Sequence, residues 1–418
     1  MKKLVALLLC VAMLVSMAVT FAMGEEKQIL RVAAWDATTT IYLTATEEAF
    51  EASHPGVDLQ FVDVASQDYH IKVGAMLSGG DDIDVVDLKE LSNMETWSMQ
   101  GYIEPLDEYI ANSNYNMGNY VGSDTCYVGA DGKQYGLPYR SDFWVVYYNK
   151  DLFDKAGVDY PTNDMTWEQY ADLAKKMTSG EGEEKVWGSH IHTWLSAAVN
   201  WAVCDGQYTL VDGTYDKLKY FYDLALGLED AGAIQMYPDL MAASLHYRGA
   251  FGTGNIAMLP MGYWFTSTLI QDIAAGDAKM EQFGIVSAPH AEGVPAGSSF
   301  GSPTGCAMNV NSKNKDLAWE FISWRCSEEG AKAMAAVGTR PAYVSPDVAE
   351  AMSSIDGFPT DEASKAALLP VAVALEFPLG EKAADIKTII NEEHTLIMTR
   401  EATVEEGIAS MNERVAGL

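Results

Sequence analysis

Four short clusters in this sequence pair a large ring with polar groups. They are Trp35-Asp36, with Thr39 close behind, Tyr139-Arg140-Ser141-Asp142, His192-Thr193-Trp194, and Tyr263-Trp264. Each falls where an apolar run gives way to a loop. Indole and phenol rings lie flat against the C–H faces of sugars, while Asp and Arg make charge-assisted hydrogen bonds to hydroxyls. Any one ring could cap a core; four such clusters at run ends point to a shared ligand. Asp87 and Lys89, at the end of "IDVVDLK", extend the set of candidate contacts.

Other chemistries find little support. "GSSFG" (297–301) matches G-x-S-x-G, but a Pro/Gly loop precedes Ser299 and another turn follows it. The nucleophile elbow requires a strand before and a helix after, so no catalytic serine is expected. "HIH" (190–192) sets two imidazoles on one face of a strand, without an identifiable third ligand, so no metal is expected. His192 is read as a cleft ring and His190 as a surface residue. "DDIDVVD" (81–87) lacks the Gly and terminal Glu of a calcium loop. No Gly-rich phosphate cradle and no assignable carboxylate pair appears. The expectation is a non-enzymatic protein without a cofactor.

The elements that must position these clusters alternate. "QILRVAAW" (28–35), "VDLQFVDV" (57–64) and "IDVVDL" (83–88) read as strands, separated by helices that stop at Pro55-Gly56 and Gly79-Gly80. Short β-α-β-α-β connections imply a parallel, doubly wound sheet whose ligands bind beyond the carboxyl ends of its strands. "FWVVYYN" opens a second α/β alternation near residue 142. It continues through the capping box Thr166/Gln169 of "TWEQYADLAKKMT" to "IAMLPM" and "FGIVSAP". The stripe Trp167, Tyr170, Ala171, Ala174 and Met177 is read as core packing. "GVPAGSSFGSPTG" (293–305) reads as a loop returning to "CAMNVN" in the first lobe. "GTRPAY" interrupts two helices, and the last helix begins at the capping box Thr403/Glu406. Two lobes crossed more than once are therefore expected, the first from 25–141 plus 290–338 and the second from 142–289 plus 339–418.

Residues 1–24 read as a cleaved secretory signal: Lys2 and Lys3, an apolar stretch, then small residues at Ala22-Met23-Gly24. The net charge of −32 repels phosphate backbones and anionic lipid, so neither nucleic acid nor a membrane surface is an expected partner. Cys126, Cys204, Cys306 and Cys326 are widely spaced, without C-x-x-C. They allow one or two disulfides but not a zinc ribbon.

With these residues in view, the chain resembles the extracellular solute-binding proteins of ABC importers, in the sugar-binding branch that includes the maltose-binding type. "EEAFEASHPGVDLQFV", "DIDVV", "YGLPYRSDFWVVYYNKDLFDKAGV", "AFGTGNIAMLPMGYW" and "NSKNKDLAWEFISWRCSEEGAKA" are similar to that family's recurring segments, in its order. The resemblance implies a periplasmic-binding-protein-like, class II arrangement: two doubly wound α/β lobes joined by a multi-strand hinge. It implies an exported monomer that captures a carbohydrate, an oligosaccharide in particular, and passes it to permease subunits. Trp35, Asp36, Thr39, Asp87, Lys89, Tyr139, Arg140, Asp142, His192, Trp194, Tyr263 and Trp264 are the ligand contacts to be tested. Two departures matter. Met23 stands where many relatives carry a lipid-anchoring cysteine, and "EKAADIKT" lacks the tryptophan that stacks on maltose. Two alternatives stay open: the same fold closing on a polyamine or other cation, and a secreted glycosidase.

Overall fold

The computed structural model describes residues 27–120, 126–343, 345–380 and 382–418. The expected signal segment, with Met23, lies outside the described residues. Strand β1 (Gln28–Trp35) pairs in parallel with β2 (Val57–Val64) and β3 (Val85–Leu88), Val32 lying opposite Phe61 on one side and Val85 on the other. Helices cover both faces of this sheet, so Leu30, Val32, Ala33 and Ala34 are fully buried, and β1 is apolar from Ile29 to Trp35 except at Arg31. The helix Ile41–Ser53 buries Tyr42, Leu43, Thr46 and Phe50 along one face. The helix Tyr69–Gly79 ends where Gly80 turns to φ +73°, a conformation glycine adopts without cost.

Two more strands complete the sheet. β4 (Leu137–Ser141) and β9 (Pro303–Met308) give the order β2-β1-β3-β9-β4, with β9 antiparallel to both neighbours. The second lobe is built on β5 (Trp144–Asn149), flanked by β6 (Met258–Gly262) and β7 (Phe283–Ser287) in the order β6-β5-β7. Both pairings are antiparallel. The helix Trp167–Met177 packs its expected stripe into this lobe's core, and both predicted capping boxes are formed.

One reading is corrected. The stretch around Ser299 is not a loop: β8 (Ser298–Gly301) pairs in parallel with β10 (Ala372–Leu375). Ser299 Oγ donates to the Trp144 carbonyl at 2.7 Å and accepts the Trp144 amide at 2.9 Å, clasping two crossings together. The chain passes between lobes at Asp142-Phe143 and at Ser302. A third segment joins them where Ala342 N–H donates to the Tyr139 carbonyl at 2.9 Å, beside an isolated bridge between Arg140 and Pro341. The first two crossings are tightly apposed: a Cβ on Gly301 would come within 1.9 Å of the Asp142 carbonyl oxygen. Cys306 and Cys326 sit with thiols 3.9 Å apart, unbonded, beside the Leu137 carbonyl.

Candidate functional site

β1 delivers Trp35 to the edge of the first lobe. Asp36 then turns the chain in the left-handed region, φ +47°. Its carboxylate accepts the Ser66 amide at 2.9 Å, and its carbonyl accepts the hydroxyls of Thr39 and Thr40 at 3.1 and 2.8 Å. Asp36 and Thr39 thus shape the turn that presents the indole, with Thr39 exposed at the rim. Trp35 stands edge-on to Tyr69, ring centroids 5.4 Å apart. Two cations approach it: Lys89 Nζ at 5.9 Å and Arg140 Cζ at 5.8 Å from the ring centroid. Lys89 is tied to Ser66, whose carbonyl and hydroxyl oxygens accept at 2.7 and 2.6 Å, and burial lowers its pKa.

On the second lobe, the run of three rings resolves by direction. Tyr263 turns inward and stacks parallel on Phe143 at 5.6 Å, and Phe265 starts a helix facing the core. Trp264 is only partly buried. Its ring folds back over Gly262, where a Cβ would lie 1.9 Å from the indole. Only glycine leaves room for that ring. Trp264 stands perpendicular to Trp144 at 5.5 Å and donates Nε1–H to the Tyr247 hydroxyl at 3.2 Å. Tyr247 meets Trp194 and His192 edge-on, each at 5.5 Å. Trp194 is 40% exposed, while His192 is buried and its pKa is pushed down to about 3.

The two aromatic groups meet at the hinge. Asp142, 3% exposed, places Oδ2 at 2.9 Å from Arg140 Nε, and its Oδ1 has no hydrogen-bond partner. Arg140 Nη2–H also donates to Thr304 at 3.2 Å. Arg340, on the third crossing, lies over the Phe143 ring at 4.8 Å and donates Nη1–H to the Ser141 carbonyl at 2.8 Å. Its charge acts on both Asp142 and Tyr263, while Arg140 and Asp142 act on Tyr247. Burial raises the Asp142 pKa against the pull of both guanidiniums. Glu376 accepts hydrogen bonds from Ser196 and Asn200, and burial raises its pKa too. Asp142 Oδ1, Tyr263 OH, His192 Nδ1 and Asn200 Oδ1 are all buried without a partner. Each such group costs about 1–3 kcal/mol unless something satisfies it. Such unpartnered groups are what a polar ligand would answer.

Three expectations are corrected. Asp87 does not face the crevice: it is fully buried, with both oxygens bound to Arg325, and Tyr139 donates to it at 3.0 Å. Tyr139 is buried with it, its ring 3.6 Å beneath the Arg325 guanidinium. His190, expected at the surface, is fully buried, and residues 189 to 192 form no strand. Conversely, Tyr247, Arg340 and Glu376 were not anticipated. The Gly/Pro-flanked break "GTRPAY" was the one available signal, for Arg340. Among the described residues no group of three or more potential metal ligands assembles.

A two-lobed α/β molecule with rings from both lobes facing a charged hinge defines a class, the binding proteins that close on a small ligand. Comparison with known proteins agrees. The family model described as bacterial extracellular solute-binding protein matches residues 35–332, and this chain belongs to that family. A putative binding protein of Brucella abortus (strain 2308) is 27% identical over 315 residues, covering 72% of each chain. A sugar transporter from Rhizobium etli, solved in an open conformation, is 42% identical with a TM-score of 0.82, over 93% of this chain and 99% of that one. An ABC substrate-binding protein of Listeria monocytogenes, solved with cycloalternan, shares the fold at 22% identity and a TM-score of 0.77, over 94% and 98% of the two chains.

Proposed function

We propose that this protein captures a carbohydrate between its lobes and delivers it unchanged to the permease of an ABC importer. One observation carries the reading: Trp35 of the first lobe and Tyr247 of the second both lie near a hinge Arg140–Asp142 pair whose second carboxylate oxygen is buried without a partner. Trp264 and Trp35 would stack on sugar faces from opposite lobes, with Trp194 and His192 walling the second. Arg140 and Asp142 would bind hydroxyls. Asp36, Thr39 and Lys89 support the rim, and Tyr263 offers its buried hydroxyl. Closure would trap the liganded conformer for recognition by the permease. The similarity to a sugar transporter at 42% identity supports the ligand class.

We take the lobes to divide as 25–141 plus 290–338 and 142–289 plus 339–418, with one adjustment. Phe300 packs in the second lobe's core, which moves the second crossing to Ser302. We also take the protein to be an exported monomer with its signal removed. Among the described residues no helix is long and apolar enough to cross a membrane.

The cation alternative meets an electrostatic obstacle. Arg140 and Lys89 already occupy the neighbourhood of the Trp35 ring, where a polyamine would have to bind. A thermal-shift screen of sugars and spermidine tests the reading, since ligand at 100 times Kd adds about 2.7 kcal/mol. Stabilisation by spermidine and by no sugar would overturn it. Release of reducing ends from an oligosaccharide would overturn the non-enzymatic part.

A further inference from the structure

The first lobe holds two thiols side by side. Cys306 lies on β9, opposite Asp87 of β3 on one side and Leu137 of β4 on the other. Cys326 caps the C-terminal end of the helix Lys315–Arg325. Their Sγ atoms are 3.9 Å apart and lie 4.0 and 3.6 Å from the Leu137 carbonyl oxygen, and both residues are buried. A disulfide needs about 2.05 Å between sulfurs, so a shift of roughly 2 Å closes the gap, within the swing of two Cβ–Sγ bonds.

The same two elements are already tied by charge. Asp87, the partner of Cys306 in strand register, accepts from Arg325, the neighbour of Cys326 in sequence. An S–S bond would run alongside that ion pair and join sheet to helix a second time. The helix end is fixed from another direction as well, where the Tyr120 hydroxyl donates to the Cys326 carbonyl at 2.5 Å. Cys204 packs against the second lobe's core, and Cys126 belongs to a different first-lobe cluster from Cys306 and Cys326. Two thiols fall short of a structural zinc site, and among the described residues no group of three potential metal ligands assembles.

We propose that Cys306 and Cys326 are a disulfide-forming pair, and that their bond is made while the lobe folds and is then sealed inside it. The chemistry is exchange with a disulfide oxidant, either oxidised glutathione or the disulfide of an exported oxidoreductase. One cysteine thiolate attacks the oxidant's S–S bond and releases one thiolate; the other cysteine then displaces the second from the mixed disulfide. The pair gives up two electrons and two protons, and the oxidant's S–S bond becomes two thiols. Such bonds form and persist outside the cytoplasm, and the family this chain belongs to is extracellular. Exchange also needs a thiolate and a line of attack, and the finished lobe supplies neither. Burial, with the Cys306 thiol alongside, pushes the Cys326 pKa up, and both sulfurs lie between sheet and helix. The folded reduced and oxidised forms therefore do not interconvert. The bond spans 20 positions and removes freedom from the unfolded chain, which raises stability.

The test refolds the full chain from urea, once in a glutathione redox buffer and once with dithiothreitol. Each sample is denatured in iodoacetamide without reductant and digested with trypsin. Cys126, Cys204, Cys306 and Cys326 fall on separate peptides, 90–133, 186–217, 280–313 and 326–332. The oxidised sample should yield 280–313 joined to 326–332, and its Tm should exceed that of the reduced sample by about 5–10 °C. Cys326→Ser should abolish the link and the difference in Tm, while Cys204→Ser should keep both. Should the Cys326 variant fail to fold, the two wild-type samples decide. Dithiothreitol should leave the oxidised folded protein unchanged, oxidised glutathione should leave the reduced one unchanged, and urea should allow both conversions. Alkylation of both peptides in the oxidised sample, a link from either to 90–133 or 186–217, or equal Tm values would overturn the pairing. Conversion of the folded protein as fast without urea as with it would overturn the sealing.

Discussion

Asp87 and Asp142 occupy comparable places near the ends of β3 and β4, and each faces an arginine. Their circuits differ. Both Asp87 oxygens are taken, by Arg325 at 2.5 and 3.3 Å and by Tyr139 at 3.0 Å, and Arg325 is itself fully buried. Asp142 uses one oxygen on Arg140, and its other oxygen has no partner. The first circuit is closed and holds the first lobe together. The second is open, and sits where the lobes meet. An aspartate at a strand end is thus a ligand candidate only when its own fold leaves it a free acceptor.

The comparison can be broken in order of expected effect. Removing one member of the closed circuit, by Asp87→Ala or Arg325→Ala, strands a buried charge and should lower unfolding free energy by about 3–5 kcal/mol. Urea denaturation would show it as a lower midpoint at unchanged slope. Replacing both with apolar residues of similar size should recover most of that loss. Asp142→Asn should do the reverse: apo stability moves by under ~1 kcal/mol, while sugar binding weakens by about 2–3 kcal/mol. Titration of the best sugar from the screen, beside apo denaturation, measures both. Equal losses in the two would erase the distinction between the circuits.

Gly262→Ala probes the second lobe's side of the site. The added methyl collides with the Trp264 indole and should cost about 1–3 kcal/mol of stability, shift tryptophan fluorescence and weaken sugar binding. An unshifted emission spectrum would show that the ring does not rest on the glycine.

The smallest effect concerns pH. Burial pushes His190 and His394 down to about 4 and His192 to about 3 from an ordinary 6.5. Between those values the folded protein binds fewer protons than the unfolded chain. Their contribution is therefore complete above pH 6.5 and is lost as pH falls, by up to about 1.4 kcal/mol per pH unit for each group. Asp142 works in the opposite sense, because its raised pKa favours proton uptake in the fold. His394→Gln should flatten the fall in Tm between pH 7 and pH 5, and an unchanged slope would refute the assignment.

Much of the scaffold was legible because it is local. β1 and β2 coincide with their apolar runs, and the Thr166/Gln169 and Thr403/Glu406 boxes close within one turn. The rings Trp35, Trp194 and Trp264 stood out because each ends a run. Less was legible where partners are remote. Arg325 lies 238 positions from Asp87, so nothing near "IDVVDL" announced that its carboxylate was already spoken for. Glu376 is held by Ser196 and Asn200, 180 and 176 positions away. β8 was missed because Gly and Pro crowd its flanks, and its pairing with β10 is long-range.

The sequence by itself determined where most strands and helices lie, the alternation that makes two α/β lobes, and which rings stand at run ends. Periodicity, capping and turn chemistry involve residues a few positions apart, and those interactions form in the same way wherever the segment lies. Only the tertiary structure decided the antiparallel order of the second sheet, which aspartate is core and which is hinge, that Tyr247 meets Trp264, and that Arg340 lies over Phe143. The free energy of a buried polar group depends on what surrounds it in space, and the fold brings those surroundings from distant parts of the chain.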